Sequence, residues 1–450
     1  MRRSSTLLLV LVLLAAPAAA DWLDFTDESA ARWVTDEGAA DPVGLTDPFE
    51  KDFAHADLDN DGDTDLVVVR KVRFSTPGGK RNALFMNEGG VLTDRTADLA
   101  PDFADETDDR DVLLADVNGD RWIDLVTVTT FAEQPRIYMN LGKDSDDNWL
   151  GLDWVAADGR LPTFSPAPQF CAVAAGDVNG DGALDLFFVD YNNSLEDRLL
   201  INDGNGFFTD ETDSRMTAAM SQSAFGTDAQ ILDMNADGAP DIVKLSTLDD
   251  FPNSVRILYN AGGDDLGTFD DLHHVYEGQP YMLEVDDLNN DGRPDIYIVD
   301  DLDDRYLLNT GVDIGTGRAQ FTTIVQADEV TSDFGGNTYI VDLDRDGWRD
   351  VLIADVDTDF QICTDIQPAV LQNMGNAPNV GLSDPFDAVQ PPWLPTGTFD
   401  FAVFDIDGDE WLDIVAGTCT GNQVFMNPGG RIFEDGFESG DIDVWSTAVE

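Results

Sequence analysis

Positive charge is scarce. The 450 residues include 25 Lys and Arg against 89 Asp and Glu, a formal net charge of −64 at pH 7. Nucleic-acid binding rests on cations that displace phosphate counterions, so this surface excludes a nucleic-acid partner. Docking on an anionic membrane leaflet is disfavoured for the same reason. Cysteine is as scarce: with only Cys171, Cys363 and Cys419, at most one disulfide can form within the chain. Cys363 and Cys419 fall in neighbouring repeats and are the pair to consider, whereas Cys171 sits in an apolar run and reads as a small buried hydrophobe. Histidine numbers three, at His55, His273 and His274, and neither an HExxH nor a GxSxG motif occurs. His273 and His274 are adjacent on an expected strand and point to opposite faces. Among 89 acids no pair of carboxylates for glycoside chemistry stands out. No catalytic residue is assigned. The acidity is not that of a disordered chain, since 42% of residues are hydrophobic and 10% aromatic.

One apolar run is long enough to raise a membrane question. Residues 1–20 join Arg2 and Arg3, the apolar stretch Leu7–Leu14, and Ala18-Ala19-Ala20 before Asp21. That order is a secretory signal peptide with its cleavage site, and the stretch is too short to span a bilayer. The mature protein is therefore expected to be secreted, with no membrane span.

Self-similarity carries most of the information. The pattern D-x-[DN]-x-D-x-x-x-D occurs seven times. Its first, third, fifth and ninth positions are Asp57, Asp59, Asp61, Asp65; Asp116, Asn118, Asp120, Asp124; Asp177, Asn179, Asp181, Asp185; and Asp233, Asn235, Asp237, Asp241. The later copies hold Asp287, Asn289, Asp291, Asp295; Asp342, Asp344, Asp346, Asp350; and Asp405, Asp407, Asp409, Asp413. Calcium is a hard cation that takes roughly six to eight oxygen ligands. A tight loop offers side-chain oxygens at positions 1, 3, 5 and 9 and a backbone carbonyl at position 7, so all 28 residues are candidate ligands for up to seven calcium ions. Gly at position 6 lets the chain turn, and Arg121 and Glu410 replace it in two copies. Those copies have Gly119 and Gly408 at position 4, where the turn is expected to relax differently. Only the position-7 carbonyl is used, so its side chain should be free to vary. An EF-hand needs Glu at position 12 and a following helix. Position 12 is instead Val68, Thr127 and Phe188 in the first copies, and runs such as LVVV and LFFV read as strands.

A second phrase follows each loop: an apolar run ending in Asn-x-Gly, as in ALFMNEGG (83–90) or RILYNAGG (256–263), which reads as a strand entering a turn. A third, such as FFTDET (207–212), closes several units. Each unit of about 58 residues thus reads strand, acidic loop, strand, strand, turn, strand. Seven units of four antiparallel strands predict an all-β, seven-bladed β-propeller over residues 21–430, with a calcium loop in each blade and an acidic tail at 431–450. The segment 24–29 (DFTDES) matches the closing phrase but precedes the first loop, so it is expected to complete the last blade; the competing candidate is 431–435.

These repeats resemble the FG-GAP/VCBS family, whose members include bacterial secreted proteins and the propeller of integrin α-subunits. The resemblance implies structural calcium in the seven loops and a binding or adhesion module for a glycan or protein ligand. An enzyme on the same scaffold, of the calcium-dependent polysaccharide lyase or propeller phytase type, is the alternative. Arg70, Lys71, Arg73, Lys80 and Arg81 fall within one connection, either to balance local acids or to hold an anionic ligand.

Overall fold

Runs of β-branched and aromatic residues between acidic turns become strands wherever both faces can be covered. The computed structural model describes residues 23–73, 76–154, 159–223, 225–247, 253–300, 303–326, 336–355, 368–386 and 391–429. The expected signal peptide and acidic tail, Cys363 and the competing segment 431–435 lie outside these residues. The strands form seven antiparallel blades around an axis. In blade 1 the order outward is Glu50–Ala56, Asp65–Lys71, Ala83–Asn87 and Leu92–Asp94. The innermost strands of blades 2 to 7 are Asp109–Ala115, Phe170–Gly176, Ala229–Leu232, Pro280–Asp286, Thr338–Val341 and Thr398–Phe404. Among the described residues no helix is long and apolar enough to cross a membrane.

The second strand of each blade is buried along its whole length, as in Asp65–Lys71 and Asp295–Asp300. It has a strand on each side and a neighbouring blade over each face, which is why it reads as a continuous apolar run. The core is accordingly divided among the seams, with one hydrophobic cluster between each pair of consecutive blades. At the seam of blades 7 and 1, Phe85, Val68 and Leu66 meet Val415, Val424 and Ile406. Each such side chain contributes roughly 1.5–3 kcal/mol on burial.

The N-terminal segment fastens the ring on both sides of that seam. Thr26–Asp27 is the outermost strand of blade 7, with Thr26 opposite Met426 and Asp27 opposite Phe425. The Val424 amide then donates to Ser29 Oγ at 2.9 Å. A few residues on, Trp33–Val34 runs parallel to Leu92–Thr93 as a fifth strand of blade 1, and Trp33 packs on Phe85 at 4.1 Å between ring centroids.

Candidate metal centres

Every acidic loop joins the first and second strands of its blade, and in blades 1 to 6 the Asn-x-Gly phrase lies where the third strand passes to the fourth; in blade 7 it follows the third strand, Gly421–Met426, whose outer neighbour is the N-terminal Thr26–Asp27. Antiparallel alternation places both connections at the same end of the ring. The loops share one backbone course. Position 4 takes positive φ in all seven copies, from Asn60 at 55° to Gly408 at 77°, and so does position 6. Arg121 (74°) and Glu410 (72°) adopt this left-handed conformation without glycine's freedom. The expectation that these two loops turn differently is therefore corrected: their glycines at position 4 sit where every copy has positive φ.

Carboxylates hold the turn in that form. Asp57 accepts the amides of Asp61 (3.1 Å) and Gly62 (3.0 Å), and the position-1 residues of the other loops accept the corresponding position-6 amide. The position-5 oxygens of Asp61, Asp120, Asp181, Asp237, Asp291, Asp346 and Asp409 accept the position-7 amide. At position 3, Asn118, Asn179, Asn235, Asn289 and Asp344 accept the position-5 amide. Oxygens are left over. Asp59 Oδ1 and Asp342 Oδ1 are buried and accept no hydrogen bond. Carboxylate oxygens come within 4.8 Å of one another in three sets: Asp57, Asp59, Asp61; Asp342, Asp344, Asp350; and Asp405, Asp407, Asp413. These are the loops with Asp rather than Asn at position 3. Buried, unpartnered oxygens converging on one point suit an oxygen-seeking cation, and these acidic groups can hold a metal ion.

Position 9 has a second job that the spacing did not show. Asp65 Oδ2 accepts the Leu58 amide at 3.0 Å and Oδ1 accepts the Asn87 amide at 2.9 Å. The same two bonds recur at Asp124, Asp185, Asp241, Asp295, Asp350 and Asp413. Each of these carboxyls ties its own loop to the end of the third strand. Burial raises them, Asp65 to about 8 and Asp185 to about 6, against the lowering effect of the two amides.

The asparagine of the Asn-x-Gly phrase is a link between blades, not only a turn residue. Asn140 Nδ2 donates at 2.8 Å to the carbonyl of Leu58, the second residue of the preceding blade's loop. Asn87, Asn202, Asn260, Asn309 and Asn373 make the same bond to Ile406, Val117, Val178, Met234 and Leu288. The seam of blades 6 and 7 lacks it, since Asn427 Nδ2 has no hydrogen-bond partner. Loop and seam are thus one network. The glycine of the phrase has its own reason in three blades: a Cβ at Gly142, Gly375 or Gly429 would lie 2.5–3.0 Å from Trp122, Trp348 or Trp411 Nε1. Those indoles occupy position 7, so the side chain there is not indifferent; all three are half-buried.

The remaining candidates are accounted for by local partners. Arg70 pairs with Asp47 at 3.0 Å, Lys71 with Glu50 at 2.8 Å, and Arg81 with both oxygens of Asp94. Arg73 donates to the carbonyls of Pro48 and Cys419, and Lys80 lies 3.9 Å from the Phe49 ring centroid. Charge balance, not an anion pocket, explains this cluster. Cys419 is disulfide-bonded, and Cys171 is free and buried. His273 stacks beside Tyr259 at 6.5 Å on the outer strand of blade 4.

The FG-GAP-like repeat matches residues 57–127, 177–244 and 287–353. Each match runs from one acidic loop through the next, so the three take in six loops. No curated protein matches the chain. Among solved structures, a lectin of Agrocybe aegerita that recognises non-reducing terminal N-acetylglucosamine is 18% identical with a TM-score of 0.49, over 76% of this chain and 81% of that one. Sqt1 of Saccharomyces cerevisiae is 10% identical with a TM-score of 0.46, over 81% of each chain. On its repeats and on the blades they build, the chain belongs to the FG-GAP repeat family.

Proposed function

We propose that the protein is a secreted binding or adhesion module whose seven loops take calcium as a structural ion and whose loop-bearing end meets a glycan or protein ligand. The observation that carries the calcium reading is the pair of buried carboxylate oxygens, Asp59 Oδ1 and Asp342 Oδ1, with no hydrogen-bond partner inside convergent acidic loops. A cation compensates such groups where water cannot. The binding reading draws on the same end of the ring. The connections of third and fourth strands there expose Leu141, Leu150, Phe207, Ile314 and Met374 beside half-buried Trp122, Trp348 and Trp411. Apolar side chains displayed at one end among acids suit recognition of a partner surface or a sugar face. The test is a glycan array probed with the mature protein in millimolar calcium and in chelator, followed by pull-down, with the supernatant assayed for cleaved sugars. Calcium-dependent capture without products is expected. Released products would replace this reading with an enzyme.

A further inference from the structure

The outer wall of the ring holds a cavity of about 560 Å³ at the seam of blades 2 and 3. Glu133 and Pro135 line it from the connection between the second and third strands of blade 2, Asp124–Thr129 and Arg136–Asn140, and Arg136 from the start of the third. Trp154 follows the fourth strand, Leu152–Asp153, and Arg160 stands on the segment that leads into blade 3. A cavity of this size suits a small-molecule ligand.

Its walls are braced from both blades. Gln134 Nε2 donates to the Phe164 carbonyl at 3.2 Å, and its Oε1 accepts the Phe164 amide at 2.8 Å. Phe164 is buried, 5.1 Å from Phe170 between ring centroids. Arg160 donates to the Asn205 carbonyl at 3.1 Å and lies 4.7 Å from the Phe207 ring centroid. The cavity is therefore formed in advance of a ligand, which lowers the cost of binding one.

Arg136 is set differently from Arg160. Its guanidinium lies 4.3 Å from the Trp154 ring centroid, a contact that holds its position. Nη1 donates to the Tyr138 hydroxyl at 3.4 Å, and Asp105 stands 3.6 Å from that same nitrogen. Nε and Nη2 have no hydrogen-bond partner among the described residues, although the side chain is only 19% exposed. Nearby Asp109 is turned to Asn82 and Thr107, which donate to its Oδ2 at 2.6 Å each. Nε and Nη2 form the side-on fork that matches the two oxygens of a carboxylate. Half-buried Glu133 likewise has no hydrogen-bond partner among the described residues. Burial, then Asp109 and Asp108, hold it above the usual carboxylate range, with Arg136 opposing.

We propose that this cavity binds a small organic carboxylate bearing an amino or hydroxyl donor, with the Nε–Nη2 fork of Arg136 on the carboxylate and Glu133 accepting the donor. Arg136 and Arg160 against Glu133 make the charged lining net positive on a chain at −64, so the ligand's charge is met locally. No residue of the acidic loops lines the cavity, so this ligand is separate from the one proposed for the loop-bearing end.

The test is a saturation-transfer NMR titration of the mature protein in millimolar calcium at 0.15 M salt, where screening confines the chain's field to about 8 Å. The probes are D-glucuronate and L-alanine, which carry both groups, propionate, which lacks the donor, and methyl β-glucoside, which lacks the carboxylate. Glucuronate or alanine is expected to bind more tightly than propionate, and the glucoside least; the tighter of the first two identifies a sugar acid or an amino acid as the source. Arg136→Gln should weaken that binding about 10- to 100-fold, the loss of hydrogen bonds to a charged group. Glu133→Ala should erase the preference over propionate. No binding by either two-group probe, a glucoside that binds as tightly as they do, or affinities unchanged in Arg136→Gln would overturn the site. Should Arg136→Gln fail to fold, the wild-type ranking and Glu133→Ala decide: a preference over propionate that survives Glu133→Ala overturns it.

Discussion

The two ends of the ring use aspartate in opposite ways. At the loop end, position-1 and position-5 carboxylates accept the amides of their own turn, and oxygens such as Asp59 Oδ1 remain without a partner. At the axial end, Asp400, Asp111 and Asp228 accept amides from the next blade, and Asn337 and Tyr339 donate to a further oxygen of Asp400. The same side chain is thus a candidate cation ligand where local geometry leaves oxygens facing one another, and a blade-to-blade link where amides reach it. The position-9 aspartates stand between, bonded to two amides while belonging to a loop.

Removing the metal breaks the comparison most severely. Extracellular calcium modules bind at roughly 10⁻⁴ to 10⁻³ M, so at about ten times the dissociation constant each site stabilises by about 1.4 kcal/mol and seven by on the order of 10 kcal/mol. Chelation should lower the urea midpoint accordingly. The next effect separates positions 9 and 5 of one loop. Asp185→Ala strips two buried amides of their acceptor and should cost about 2–6 kcal/mol even in chelator. Asp181→Asn should cost about 1 kcal/mol in calcium and almost nothing in chelator. If the two variants respond identically to chelation, the distinction between link and ligand is wrong. A smaller contrast lies between seams: Asn260→Ala should cost about 1–3 kcal/mol, and Asn427→Ala less, because its amide lacks the bond to the preceding blade. Smallest is the left-handed residue of the last loop. Glu410→Gly should gain roughly 1 kcal/mol, read as a raised melting temperature in calcium.

The sequence made the ring legible because its signals are periodic. Seven loops at a near-constant interval, each followed by an apolar run, specify blades without reference to distant contacts. What it concealed are side chains whose partner lies in another repeat. Asn87 and its counterparts look like turn formers, and the carbonyl they hold is in the preceding blade's loop. Asp52, Asp111, Asp228 and Asp400 recur five residues before their loops, a period that was there to find but was lost among 89 acids. Their meaning depends on which strand lines the axis. Arg70 and its basic neighbours left charge balance and an anionic ligand both open because their partners, Asp47 and Glu50, lie before and at the start of the first strand, Glu50–Ala56. Trp33–Val34 as a fifth strand of blade 1 rests on a parallel pairing of two residues, too short to leave a pattern.

Counting the metal tests the central claim most directly. Metal-free mature protein dialysed to equilibrium against graded calcium should take up several ions per chain, to a limit of seven, with saturation in the submillimolar to millimolar range. The triple variant Asp59→Ala, Asp342→Ala, Asp407→Ala should bind fewer. Saturable uptake that the triple variant reduces is what the loops predict. No saturable uptake, or uptake unchanged in the variant, would contradict the assignment of these loops as metal centres.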